Sequence, residues 1–473
     1  MKAWSSEKIS VVALVLLITG AIDSIRNLPA TALFGSELIF FFIFSAIVFL
    51  IPVALVSAEL SSTWSEEEGG VYSWVRQAFG ENWAFLTIWL QWINTMVWYP
   101  TILSFIAGTL AYIINPELAQ SKLYLVSVIL ITFWSLTFLA LSGLKASAAF
   151  ASFCAIAGMI IPMGFIILLA IIWVVIGEPL AIDISFKSMI PHFGDIDSWV
   201  SLTAIMTSFL GMELAAAHVR NIRDPQKNFP KAMYFSVIFI LTSMILGSLA
   251  IAVVLPHNHI SLVHGVMQAF TDFFSAYHLS GLMPLMVVLL LLGSLGSMVN
   301  WIISPAKGLL LAAHHGFFPS WLYKLNKHGV ASRILIIQAL LVTFLCSGFL
   351  LLPSINAFYW LFTALSTELY ILMYVLMFIA AIHLKSKFAH IPRPFAIPGG
   401  RVGYYATCLL GLMGCAITLF VGFFPPAESL DVGGAHRFRI IFSCGIGLMV
   451  LPAYLLYLRK VHFHGQIKQA ESN

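Results

Sequence analysis

Apolar residues run through this chain in long blocks with no period-two alternation. The stretches 40–56 and 160–176 carry no charge at all. Strands of a membrane barrel would alternate apolar and polar residues over segments of ~10 residues. A helix crossing a bilayer needs ~20 mostly apolar residues. The pattern therefore predicts about twelve helical spans, at 9–32, 38–60, 83–114, 122–143, 147–177, 198–218, 231–255, 282–312, 332–352, 356–384, 402–424 and 438–458. Two of these blocks are broken near the middle by a glycine followed by a carboxylate. The first reads Ile18-Thr19-Gly20-Ala21-Ile22-Asp23-Ser24 and the second Ser208-Phe209-Leu210-Gly211-Met212-Glu213. A charged side chain at the bilayer centre costs at least ~2.5–3.5 kcal/mol unless it has partners or water. Unwound backbone at that depth must be buried in protein or line a cavity. Paired interruptions in two halves of a chain point to a transporter's substrate site. The expected architecture is all-α and membrane-integral, a single domain over 1–473. Its halves are a five-helix repeat over 9–177 and an inverted one over 198–384, with two further helices over 402–458.

Composition agrees. The 473 residues are 60% hydrophobic and 9% charged, with a mean hydropathy of +0.96; a soluble domain carries about 25% charged residues. The five cysteines lie inside apolar spans without paired or metal-type spacing and read as small core residues. A cleavable leader is weighed for the N-terminus, because Lys2 and Lys8 precede an apolar run and Ala30-Thr31-Ala32 resembles a cleavage site. Asp23 and Arg26 interrupt that run, which favours a retained first span. Of the 24 basic residues, 18 fall on the N-terminal side of the membrane and four (Lys122, Lys187, Arg437 and Arg439) on the other. That bias places both termini in the cytoplasm. Within the connections, 257–278 is expected to hold a short outer helix, and Pro225 and Pro230 are expected to stop helices on either side of a polar inner loop. No phosphate-binding loop, zinc-protease motif, nucleophile elbow or zinc-type cysteine spacing occurs. The sequence thus predicts no enzyme, no cofactor, no metal and no nucleic-acid partner. Loop histidines such as His257, His259, His264, His314 and His315 read as solvent-exposed, with pH sensing the second option.

Four stretches resemble the amino acid–polyamine–organocation superfamily, and within it bacterial permeases of the glutamate:GABA antiporter family. They are 23–30, 52–75 with its Ser57-Ala58-Glu59-Leu60 and Gly69-Gly70-Val71-Tyr72, the pair 209–213 and 224–232, and 393–400. The likeness runs in order over almost the whole chain. It implies the leucine-transporter-type inverted-repeat fold, location in the bacterial cytoplasmic membrane and an amino acid substrate moved by alternating access. Departures exist. Many superfamily members have Gly-Ser-Gly at the first break, where this chain has Ile22-Asp23-Ser24. Some proton-coupled relatives carry a lysine midway along the fifth helix, where this chain has Cys154-Ala155-Ile156-Ala157-Gly158. Acid-resistance members end in a longer cytoplasmic tail than residues 459–473.

By that resemblance, backbone at Gly20, Ala21, Ile22, Asp23 and Ser24 holds a substrate carboxylate, with Gly20 allowing the bend. Asp23 meets an ammonium group, a proton or, on the plainer reading, Arg26. At the second break Phe209 would act as a lid, and Gly211 would free carbonyls for an α-ammonium group. Glu213 would carry a proton, link the broken helix to its neighbours, or be a structural carboxylate bonded to backbone. Tyr99 in Trp98-Tyr99-Pro100 is either a gate or packing. Asn300, Trp301 and Ser304 lie within about one turn on the eighth helix, where Pro305 frees a carbonyl. Lys307 beyond them can snorkel. On the tenth helix, Ser366, Thr367 and Tyr370 accompany Glu368, another intramembrane acid with coupling as one role and helix-to-helix bonding as the competitor for its neighbours. The missing fifth-helix lysine favours exchange over proton symport, and glutamate exchanged for γ-aminobutyrate is the family default. An amino acid sensor that keeps the fold without transport is the alternative from another class. Membrane lipid is the other expected partner, and the sequence does not fix an oligomeric state.

Overall fold

Apolar length decides the architecture. In the computed structural model of the chain, residues 9–65, 70–143, 153–154, 156–194, 196–313, 316–319, 321–322, 324–352, 354–426 and 434–472 are described. Among them, twelve helices are long and apolar enough to span a bilayer. They are α1 (Val11–Ala32), α2 (Gly35–Thr63), α3 (Glu81–Ile114), α4 (Lys122–Leu141), α5 (Ile156–Ile176), α6 (Ile196–Ala216), α7 (Pro225–Val254), α8 (Ser280–Leu310), α9 (Ser332–Leu351), α10 (Ile355–Lys387), α11 (Gly400–Val421) and α12 (Ala435–Val461). The described residues form no strand; one isolated backbone bridge joins Ile9 to Ile222.

The helices sort into two packed groups. In one, α1 and α2 each pack on α7, and the second part of α6 rests on α1 and α2. In the other, α3 packs on α4 and α8, and α4 on α9. The long α10 runs beside α3, touches the first part of α6 and carries α11 on its other side. Small residues set the closest crossings, as expected where lipid offers no hydrophobic drive. At the α5–α8 crossing, a Cβ on Gly158 would sit 2.1 Å from the Gly293 Cα, so the two backbones touch.

Two expectations need correction. Gly20 does not make the first bend: the regular helix continues to Ile22, and the extended residues are Asp23 and Ser24. Glycine permits a bend without imposing one, and here the bend falls where Asp23 gains a partner on α7. Pro230 does not stop a helix either. The helix runs from Pro225 to Val254 straight through it. The N–H that Pro230 lacks would have bonded the Gln226 carbonyl, which lies in the exposed first turn, where water replaces it at little cost.

The connections close the two ends. A short helix, Val71–Phe79, with most of its residues buried, lies between Gly70 and Gly80, both with positive φ. The expected short helix in 257–278 is present as Gly265–Ala276. It covers the end of α1, with a Cβ on Gly265 falling 2.9 Å from Pro29. The start of its loop is pinned to α10, where the Leu262 N–H donates to Asn356 Oδ1 at 3.0 Å. At the basic end, Glu59 of α2 is fully buried. It accepts from Lys385 Nζ at 2.6 Å, Arg393 Nη1 at 3.2 Å and the Ile397 N–H at 2.8 Å.

Candidate functional site

Each break leaves a half-helix on either side of two to four non-helical residues. In α1 the chain is extended at Asp23 and Ser24, then restarts as a 3-10 turn at Ile25–Asn27 and a helical turn containing Pro29. The Ser24 N–H has no backbone acceptor among the described residues. In α6 the regular helix ends at Thr207 and residues 208–211 form a turn. Gly211 has φ +106°, a conformation side chains rarely adopt, and a 3-10 helix Met212–Asn221 follows. The two breaks face each other: a Cβ on Gly211 would lie 3.7 Å from Ile22 Cγ1. Their basic-end flanks are stitched together by backbone bonds, Ile9 N–H to the Asn221 carbonyl at 2.8 Å and Arg223 N–H to the Ile9 carbonyl at 3.2 Å. The juxtaposition brings helix N-termini, with their positive partial charge, beside helix C-termini, with their negative one. A zwitterion needs both.

Asp23 and Arg26 do not pair. Ser243 Oγ of α7 donates to Asp23 Oδ2 at 2.7 Å, while Oδ1 has no partner among the described residues. The Arg26 guanidinium turns to α3 instead. Its Nη1 donates to Thr101 Oγ1 at 2.7 Å, and it sits 4.8 Å from the Trp98 ring centroid. The Tyr359 hydroxyl donates to the Arg26 carbonyl at 3.3 Å. Three residues apart across a non-helical break, the two side chains no longer share a helical face, which is why the ion pair fails. Both are buried, Asp23 at 2% and Arg26 at 4% exposure.

Glu213 links the broken α6 to α10 and α3. It accepts from the Tyr370 hydroxyl at 2.8 Å, from the Tyr374 hydroxyl, and from Gln91 Nε2 at 3.4 Å. The Tyr374 oxygen also accepts from the Gly211 N–H at 2.9 Å. One tyrosine thus satisfies the backbone freed by the break and the carboxylate beside it. Tyr370 and Tyr374 are one turn apart on α10, so one face of that helix serves Glu213. The Tyr99 hydroxyl donates to the Trp301 carbonyl at 2.6 Å. That carbonyl is the one that Pro305, four residues on, leaves without its helical N–H. Trp98 lies beside Trp301, its ring tilted by 42° with centroids 5.2 Å apart.

Other expected residues lie elsewhere. Phe209 is fully buried edge-on to Phe42 of α2, at 5.7 Å between centroids, and packs against that helix. Glu368 is two residues before Tyr370, about 200° around the helix, and faces α11. A Cβ on Gly422 would lie 1.8 Å from its Oε1, and neither carboxyl oxygen has a partner among the described residues. Its neighbours bond between helices: Ser366 Oγ to Asn94 Oδ1 and Thr367 Oγ1 to Thr207 Oγ1, each at 2.5 Å. The side chains of Ala21, Asn300, Ser304 and Lys307 lie outside the described residues, as do His314 and His315. His264 is buried rather than solvent-exposed. No metal-type cluster occurs among the described residues. Sequence reasoning missed Gln91, Ser243, Thr101 and Tyr374. The available signal was their polarity inside apolar spans, with Tyr374 one turn beyond Tyr370.

Known proteins resemble the chain over nearly its full length. A profile of amino acid permeases matches residues 9–450. An uncharacterized transporter of Legionella pneumophila is 38% identical over 95% of this chain and 97% of its own. A glutamate/gamma-aminobutyrate antiporter of Lactococcus lactis is 28% identical over 96% of this chain and 91% of its own. A further Lactococcus lactis protein, named "Probable agmatine/putrescine antiporter", is 24% identical over 83% of each chain.

Proposed function

The chain belongs to the amino acid permease family of membrane transporters, and from that premise we propose that its two facing breaks bind an amino acid and exchange it across the membrane by alternating access. The observation that carries this reading is the approach of the two breaks inside the bundle, where Gly211 lies against Ile22, the residue at which the first helix ends before the extended Asp23 and Ser24. The substrate carboxylate takes the Ser24 N–H, which has no backbone acceptor among the described residues, and the positive end of the half-helix that starts at Ile25. The ammonium group takes carbonyls at the C-terminal ends of the half-helices, and Asp23 supplies the unused Oδ1 beside it. Glu213, Tyr370, Tyr374 and Gln91 form a polar barrier on one side of the breaks. Tyr99, Trp98 and Trp301 line the side nearest α3 and α8.

Residues 9–177 and 198–384 are the two inverted repeats in this reading. The group α1, α2, α6 and α7 rocks against α3, α4, α8 and α9, a division that follows the observed packing. The end carrying Lys385 and Arg393 faces the cytoplasm, in keeping with the basic bias. The membrane is the bacterial inner membrane, the substrates are glutamate-like amino acids and their decarboxylated amines, and the protein performs no catalysis. Exchange is the mode carried by the names of two relatives. A thermal-stability screen of the purified protein against all amino acids and their decarboxylation products tests the binding step. A raised midpoint with at least one of them, lost in Asp23→Asn or Ser24→Pro, is expected. No shift with any compound, or a shift that survives both variants, contradicts the assignment of the breaks.

A further inference from the structure

At the basic end, a crevice of about 590 Å³ opens between the start of α7 and the connection from α10 to α11. Lys227 and Lys231 line one side, one helical turn apart, with Tyr234 and Phe235 just beyond them. Pro394 and Phe395 form the opposite wall. Tyr234 is 64% and Phe235 54% exposed, so two aromatic rings stand out from α7 within three turns of its start. Among the described residues, the lining carries two positive charges and no negative one, and neither lysine has an ion-pair partner.

We propose that this crevice binds the headgroup of an anionic phospholipid from the leaflet at the basic end. Three features converge on that occupant. Four residues apart, Lys227 and Lys231 share one face of α7, where both side chains can reach one phosphate. Exposed aromatic rings below them suit the interface between headgroup and acyl chain, where Tyr and Trp sit in membrane proteins. Basic pockets between spans on this side of a membrane accept acidic headgroups. The far wall is also preformed. Arg393, one residue before Pro394, is pinned with Ile397 onto Glu59, so little ordering is lost on binding. The lipid therefore bridges α7, of the group proposed to rock, and the connection fixed by the buried Glu59 of α2. The binding step needs only that the chain spans a membrane, and its readout is independent of any substrate.

Purified full-length protein titrated with phosphatidylglycerol, phosphatidylcholine or soluble glycerol phosphate gives the test, with bound lipid counted by native mass spectrometry and stability read as a thermal midpoint. Phosphatidylglycerol should be retained and raise the midpoint, while phosphatidylcholine and glycerol phosphate should do neither. The doubly exchanged variant K227Q/K231Q should keep the lipid-free midpoint and weaken phosphatidylglycerol binding roughly 10- to 30-fold. K187Q, at the opposite end of the bundle, should bind as wild type. Equal binding of phosphatidylcholine, an equal effect of glycerol phosphate, unchanged affinity in K227Q/K231Q or an equal loss in K187Q would each overturn the proposal.

Discussion

Asp23 and Glu213 are both intramembrane acids beside a break, yet their surroundings differ. Glu213 has acceptor capacity filled by two tyrosines and an amide; Asp23 has one oxygen bonded and one without a partner among the described residues. Asp23→Asn should therefore abolish substrate-induced stabilisation with little loss of fold stability, measured by thermal midpoints with and without substrate. Tyr99→Phe tests a different bond. It leaves the Pro305-freed Trp301 carbonyl without its donor and should cost about 1–2 kcal/mol in stability, read from denaturation in lipid micelles. Residues of this kind were half legible in the sequence. Glycine followed by carboxylate marked both breaks, because charge and unwound backbone are conspicuous in apolar spans. Partners were not legible. Asp23–Arg26 looked like an ion pair by spacing alone, and only the extended backbone at Asp23-Ser24 shows why the two side chains diverge.

Elements were the most legible level, since length and hydropathy decide a span and little else competes. The tenth span, expected at 356–384, runs from Ile355 to Lys387, while the seventh begins six residues earlier than expected because Pro230 is tolerated in a first, hydrated turn. Packing between elements was not visible beforehand. At the α5–α8 crossing, Gly293→Leu should collide with the Gly158 backbone and destabilise the protein by at least ~2 kcal/mol. Gly164→Ala on α5, where no atom lies within 4 Å, should be neutral. Expression yield and thermal midpoint distinguish the two. The short helix Gly265–Ala276 supplies a pH dependence. Burial pushes its capping His264 down from the usual 6.5 to about 4, and Ser261 Oγ bonds its Nδ1 at 2.9 Å. The unfolded chain binds this proton first, so stability is full above about pH 6.5 and is lost as pH falls towards about 4. His264→Gln should flatten the thermal midpoint across that window; an unchanged slope would count against the burial argument.

For the whole molecule, two motifs distant in sequence meet at one end. Ser57-Ala58-Glu59-Leu60 and the 393–400 connection both carry the family resemblance in the sequence. The structure joins them through Glu59, which neutralises Lys385 and Arg393 while those two stack on Tyr404 and Trp64. Glu59→Gln leaves two cations facing each other in a nearly dry site and should cost about 3–5 kcal/mol, measured by thermal unfolding. It should also loosen α2 from α10, and so speed opening at the basic end. The central claim is nevertheless about flux. Purified protein in liposomes loaded with unlabelled glutamate or γ-aminobutyrate should accumulate labelled glutamate, and empty liposomes should not. Uptake no greater than in protein-free liposomes, for every amino acid and amine that stabilises the protein, would contradict the account and leave a ligand-binding membrane protein that does not transport.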